Sequence, residues 1–267
     1  MITQRVTLHF KSNIRPLIMD NIQIVNAVKT GMRNAAVESR LMNFSSGGKI
    51  NTEYVATVLI GLALRQSKYF RLDDEKVIFE YNTGNFITST VPFSKKINSG
   101  KIFSKTITRI HTNTTRKGRI DIALLGNNNG FDYPKCAIEV KGDNPSKTLL
   151  HQDIRRNIEY FKHKGSTGTS NITLALNCSF ESFNKNSRSK RSCITTTDRD
   201  NKIIDITNKY LGHINEIIHE IPSGVSVCIE VFSASEELAE PWFTQDEYEQ
   251  IEDHIHLTLG VIIKLER

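Results

Sequence analysis

The sequence predicts an α/β protein whose central mixed β-sheet, of about five strands, is flanked by helices. Three stretches carry that expectation. Arg119–Leu125 and Cys136–Lys141 alternate with period two and read as strands joined by a loop rich in turn formers. Tyr54, Val55, Val58, Leu59, Leu62 and Ala63 make the segment from Asn51 to about Gln66 a helix that is apolar over most of its surface, as one buried against a sheet would be. Leu150, Ile154, Ile158 and Phe161 then place one apolar face on a helix after Lys141, and Asn171–Phe180 alternates again as a strand.

In chain order, Gln4–Phe10 alternates through Val6, Leu8 and Phe10 and reads as a strand. Pro16 opens a helix over Leu17–Lys29 with Ile18, Ile22, Val25 and Val28 on one face; Gly31 breaks it, and Met32–Met42 forms a second helix. Ser45–Gly48 is a loop, Asn51 or Thr52 caps the next helix, and Lys76–Tyr81 is the first strand of the sheet. Asn144 is the expected N-cap, and Pro145 the first residue, of the helix after Lys141. Lys162, His163 and Lys164 suit its C-terminal dipole and Gly165 closes it. A helix over 202–220 turns Ile203, Ile206, Tyr210, Ile214, Ile217 and Ile221 inward, and Val225–Phe232 follows as a strand. Thr244–Glu247 is a capping box opening a short acidic helix, and Leu257–Leu265 is a closing strand. Residues 1–50 are thus expected as an N-terminal strand and helices packed on a core at 51–235, which carries a basic insertion at 82–117. An acidic C-terminal extension at 236–267 belongs to the same globule.

The two strands around Gly126–Pro134 carry the chemistry. With 126–134 as a symmetric hairpin loop, Asp121 stands opposite Glu139. Facing carboxylates repel each other. A divalent cation removes the penalty, and a hard cation such as Mg²⁺ takes one or two carboxylates plus water and phosphate oxygens. Lys141 shares the face of Glu139 and is placed to position or help deprotonate an attacking water.

Asp121 followed by Glu139-Val140-Lys141, on a short hairpin with a helix after it, resembles the PD-(D/E)XK nuclease superfamily. The resemblance runs from about Asn51 to Phe180, with Ile120 in place of the proline that names the motif. It implies a restriction-endonuclease-like core and a Mg²⁺-dependent nuclease, with Mn²⁺ able to substitute, that hydrolyses phosphodiesters by an activated water. Asp121 and Glu139 would hold the metal with the Val140 carbonyl, Lys141 would orient the water and stabilise charge, and Glu53 and Gln152 would assist. Glu53, in the first turn of its helix, has a rival in Glu38 on the preceding one, and it also suits the helix dipole. The tyrosine that follows the glutamine at short spacing in the RecB-like branch has no counterpart after Gln152.

Charge suits a polyanionic partner or a solvated basic surface. Between Tyr81 and Ile120 no acid occurs, while Lys95, Lys96, Lys101, Lys105, Arg109, Arg116, Lys117 and Arg119 are interleaved with Ser, Thr and Asn and with Phe86, Phe93 and Phe103. Lys185, Arg188, Lys190 and Arg191 form a second acid-free cluster. Residues 230–267 hold ten acids against two bases, a net −8, which leaves +14 on the rest of a chain whose net charge is +6. The expected partner is nucleic acid, DNA before RNA, cut by an endonuclease of restriction, defence or repair type, with a homodimer as one route to cutting both strands. The alternatives are a non-catalytic nucleic-acid-binding or assembly protein that keeps the fold, and an unrelated α/β protein with an accidental match.

Other classes find no support. No apolar run is long enough to span a membrane, and the N-terminus lacks a signal-peptide core. Cys136, Cys178, Cys193 and Cys228 have no metal-ligand spacing and read as reduced core residues of a cytoplasmic protein. The histidines form no triad or zinc pattern, and there is no Walker loop or dinucleotide fingerprint.

Overall fold

The computed structural model describes residues 19–46, 51–98, 104–110, 118–128, 130–184, 195–239, 242–247 and 254–267. The strand expected over Gln4–Phe10, the Pro16 helix start and the Ser45–Gly48 loop lie wholly or partly outside them. The elements in order are α1 (Asn21–Ser46), α2 (Thr52–Gln66), β1 (Glu75–Asn82), α3 (Thr83–Ser89), β2 (Ser94–Asn98), β3 (Ser104–Thr108), β4 (Arg119–Asn128) and β5 (Phe131–Asp143). Then come α4 (Lys147–Lys162), β6 (Lys164–Gly165), β7 (Gly168–Thr169), β8 (Leu174–Asn184), α5 (Thr196–Ile217), β9 (Ser226–Glu237) and β10 (His256–Glu266). Six strands form a central mixed sheet in the order β1-β4-β5-β8-β10-β9. Among these described strands only β5 and β8 pair in parallel, with α4 as the crossover between them. The protein is therefore mixed α/β, with helices on both faces of a mixed sheet.

Side-chain alternation divides the core in two. Ile122, Leu124, Cys136, Ile138, Val140, Leu176 and Cys178 pack against α1 and α2 on one face. Ala123, Leu125, Ala137, Ala175, Val261 and Ile263 meet α3, α4 and α5 on the other. The stripe Leu150, Ile154, Ile158 and Phe161 is buried as its spacing requires.

Four expectations give way. First, α1 is one continuous helix through Gly31. A Cβ there would lie 2.4 Å from Ile60 Cα, so this glycine is the point where α1 and α2 cross and not a helix end. Second, α2 is not buried all round. Val55, Ala56, Ile60 and Leu64 face the sheet, while Tyr54 and Leu62 are exposed. Third, α4 begins later than expected. Asn144 takes a left-handed φ of 51°, Pro145 follows, and the Ser146 side chain caps the helix by accepting from Leu149 N–H. Fourth, the acidic C-terminal segment is no extension. β10 fills the interior of the sheet between β8 and β9, so the core runs past residue 235 to the last strand.

The turn-rich stretch 126–134 is strand on both sides of a short turn, with Asn127 opposite Asp132 and Asn128 opposite Phe131. Gly126 is tolerated in a strand because the Tyr133 ring covers it; a Cβ would lie 2.3 Å from that ring. A bulge at Lys135 shifts the register by one residue, so Leu125 faces Pro134 while Leu124 faces Cys136. Beyond the bulge Ile122 faces Ile138, the register that a symmetric loop over 126–134 predicts.

The Gly31 crossing yields a test. Gly31→Ala should lower stability by about 1–3 kcal/mol, because the backbone of α2 must retreat. Gly212→Ala, on α5 with open space around it, should gain roughly 0.4–1 kcal/mol. Urea unfolding of both variants measures the contrast; a stabilised Gly31→Ala would mean that the helices do not cross here.

Candidate functional site

The site forms where β4 and β5 part. One residue beyond the Ile122–Ile138 pair the ladder stops, and Val140 N–H donates to Asp121 Oδ2 at 2.7 Å in place of a backbone carbonyl. That bond aims Asp121 across β5, on the face from which Glu139 and Lys141 project. Glu139 is 2% exposed, and neither of its carboxylate oxygens has a hydrogen-bond partner among the described residues. Its nearest countercharge is Arg156 Nη1, 3.6 Å from Oε2.

Lys141 draws the other acids together. Its Nζ lies 3.2 Å from Asp153 Oδ2 and 3.4 Å from Glu53 Oε1, and it donates to the Val140 carbonyl at 3.2 Å. Glu53 is delivered by the start of α2. Asn51 caps that helix through Glu53 N–H, and Thr52 Oγ1 donates to Asp143 Oδ2 at 2.8 Å, fastening the first turn to the end of β5. Gly142 lies against this turn, where a Cβ would make ordinary contact with Glu53 N at 3.5 Å. Asp153 comes from α4 and is held by Arg156 Nη1 at 3.2 Å.

Four acids thus crowd two bases, and the proton affinities respond. Burial, then Asp121 and Asp153, push the Glu139 carboxyl up to about 8 against the smaller opposing pull of Arg156 and Lys141. Burial raises Asp121 as well, with the Val140 N–H and Lys141 opposing. Burial alone would lower Lys141, but Asp153, Glu53 and Asp121 outweigh it and hold the ammonium above its ordinary value.

Asp121, Glu139, Lys141 and Glu53 therefore come together. Glu38 does not; it lines a separate groove between α1 and α2 with Val37 and Met42. Gln152 is exposed, and the helix presents Asp153 in its place. The sequence carries a signal for it: Asp153 falls in phase with Leu150, Ile154 and Phe161, an acid on a buried stripe. The Val140 carbonyl is taken up by Lys141. Among the described residues, no three Asp, Glu, His or Cys side chains stand close enough to enclose an ion. The donor set nonetheless fits a hard cation, because Glu139 offers two buried oxygens without a hydrogen-bond partner among the described residues, beside Asp121.

Of the expected phosphate contacts, Lys95, Lys96 and Lys105 lie exposed on the β2–β3 ribbon, and Arg119 is exposed at the start of β4. Arg109 has a structural role instead: its guanidinium donates to the carbonyls of Ser89, Val91 and Asp132 and lies over the Phe93 ring, itself stacked on Phe131. Lys101, Arg116, Lys117, Lys185, Arg188, Lys190 and Arg191 fall outside the described residues. Cys136 and Cys178 are buried free thiols, whereas Cys228 is exposed. No helix among the described residues is long and apolar enough to cross a membrane. Comparison with protein-family models, with curated proteins and with solved structures finds no match.

Glu139 sets a pH test for the metal-free protein. Its carboxyl keeps a proton in the fold up to about pH 8, whereas the unfolded chain loses it near 4.5. The stabilisation is complete below the lower value and is lost as pH rises to the upper one, at about 1.4 kcal/mol per pH unit at most. In urea unfolding with a chelator present, Glu139→Gln should gain on the wild type steadily across that window. Parallel stability profiles would show that Glu139 ionises normally.

Proposed function

We propose that this chain is a divalent-metal-dependent phosphodiesterase of the PD-(D/E)XK type, a nuclease acting on nucleic acid, with a DNA endonuclease as the favoured form. The observation that carries the proposal is Glu139, a buried carboxylate without a hydrogen-bond partner among the described residues, beside Asp121 and two residues before Lys141. A structural carboxylate would have acquired donors; this one is arranged to receive a positive charge. The element order supports the reading: α2, β1, the Asp121 strand, the Glu139 strand, α4 and β8 follow as the resemblance implies.

Asp121 and Glu139 would hold Mg²⁺ or Mn²⁺, which when bound lowers the pKa of a water and offsets charge developing on a phosphate. The chain supplies the rest. Val140 N–H fixes one oxygen of Asp121 and leaves the other available. Glu53 and Asp153 keep Lys141 charged and direct its ammonium, which can hold a water or a phosphate oxygen by charge-assisted hydrogen bonds. Arg156 lies between Glu139 and Asp153 and offsets part of their repulsion. Lys95, Lys96 and Lys105 would meet phosphates away from the site. A second reading, a nucleic-acid-binding protein that keeps the fold without cleavage, is favoured by one observation: the carboxylates surround the Lys141 ammonium at spacings wider than an ion requires.

With Mg²⁺ present, Asp121→Ala, Glu139→Ala and Lys141→Ala should each abolish cleavage of plasmid, linear and single-stranded DNA. Glu139→Ala should keep or gain metal-free stability above about pH 8, where it removes a buried charge without hydrogen-bond donors among the described residues; Asp121→Ala leaves the Val140 N–H without its acceptor and should cost about 1–3 kcal/mol. Wild-type rates in any of the three would end the assignment; nucleic-acid binding with no cleavage by the wild type would establish the second reading. Replacing Lys95, Lys96 and Lys105 together by Gln should lessen the salt slope of binding by about 0.9 for each phosphate no longer neutralised. An unchanged slope would place that ribbon away from nucleic acid.

A further inference from the structure

On the α2–β1 side of Asp121 lies a cleft of about 450 Å³, lined by Glu53, Tyr54, Thr57, Phe79, Glu80 and Asp121. Two aromatic side chains border it, Tyr54 at 71% exposed and Phe79 at 42%. Phe79 is steadied by Gly61, since a Cβ at that glycine would lie 2.2 Å from the ring. Phe79 and Glu80 are consecutive, and in a regular strand they would face opposite ways. Both line the cleft because Glu80 takes a left-handed φ of 50°, leaving the β1–β4 ladder between the Phe79–Ile122 and Tyr81–Ile120 pairs. A non-glycine residue in that conformation costs on the order of 1–3 kcal/mol, and such strain is enriched at active sites and ligand clamps.

The lining selects a chemistry. Its charged groups are the carboxylates of Glu53, Glu80 and Asp121; Lys141 is not part of the lining but reaches Glu53 Oε1 at 3.4 Å, which leaves the lining net negative. A phosphate would be repelled there. A nucleobase fits: its flat faces stack on Tyr54 and Phe79, and its amino groups donate to carboxylate oxygens. The volume falls in the lower part of the range for small-molecule pockets. A base inside an intact duplex has both faces stacked on its neighbours and cannot enter.

Resting on the nuclease reading above, we infer that this cleft receives one unpaired nucleobase next to the cleavage site. The substrate is then a single strand, or a strand with a base turned out, in preference to intact duplex. Binding can be followed in a chelator, where no strand is cut, by the fluorescence of a short oligo(dA) carrying one 2-aminopurine, alone and annealed to its complement. The single strand should bind at least about ten-fold more tightly than the duplex. Tyr54→Ala and Phe79→Ala should each weaken single-strand binding on the order of ten-fold, as expected for one missing stacking partner, and leave duplex binding unchanged. Gly61→Ala, which displaces the Phe79 ring, should act in the same direction. Tyr54 is largely exposed, so its variant remains folded and decides the matter if the others do not. Equal binding of duplex and single strand, or no effect of Tyr54→Ala, overturns this inference and leaves the nuclease reading standing. Failure to bind either probe, together with failure to cut DNA in Mg²⁺, overturns both.

Discussion

The buried carboxyl of Glu139 is the constraint around which this site is built. Removing an ionised carboxylate from water is expensive, and among the described residues this one has no hydrogen-bond donors to offset the loss. The fold answers by keeping the proton on it. Its neighbours follow from that choice. Asp121, one strand away, satisfies a backbone N–H where the ladder opens. Asp153 leans on Lys141 and Arg156, and Arg156 supplies the nearest positive charge to Glu139.

The two faces of the sheet divide the work. Toward α1 and α2 the strands present an apolar surface of Ile122, Ile138, Val140, Leu176 and Cys178. Toward α4 and α5 the same strands become polar beyond Ala137 and Ala175. Glu139 and Lys141 lie on β5, and Asn177, Ser179 and Glu181 on β8, answered by Asn157, Tyr210 and Lys209. The first face supplies hydrophobic stability, which permits the second to carry groups that detract from it.

Much of this is legible in the sequence because it rests on local patterns. The period-two alternation of Ile122, Leu124, Ile138 and Val140 determines which side chains share a face, so Asp121 and Glu139 come to the same side of the sheet although the ladder itself ends at Ile122 and Ile138. The register survives a different loop, because the bulge at Lys135 compensates for strands longer on both sides of a tighter turn. Gly31 and Gly126 mislead for one reason: each is a glycine demanded by something packing on it, and nothing in the local sequence distinguishes that from a break. Asp153 hides behind Gln152, although its phase with the apolar stripe of α4 marks it as inward. The place of β10 is not locally legible at all, because strand order depends on pairings between residues far apart in the chain.

That place bears on how the molecule is made. Among the described strands β9 pairs only with β10, yet it is synthesised first. Until residues 256–266 leave the ribosome, β8 and β9 each have an open edge that their eventual neighbour must fill from between them. Non-local pairing of this kind is slow, and open edges are where chains stick to one another. A chain halted short of β10 would therefore display two templates for intermolecular pairing next to an otherwise finished core. Recovery from such pauses, more than equilibrium stability, would govern how much native protein a cell obtains.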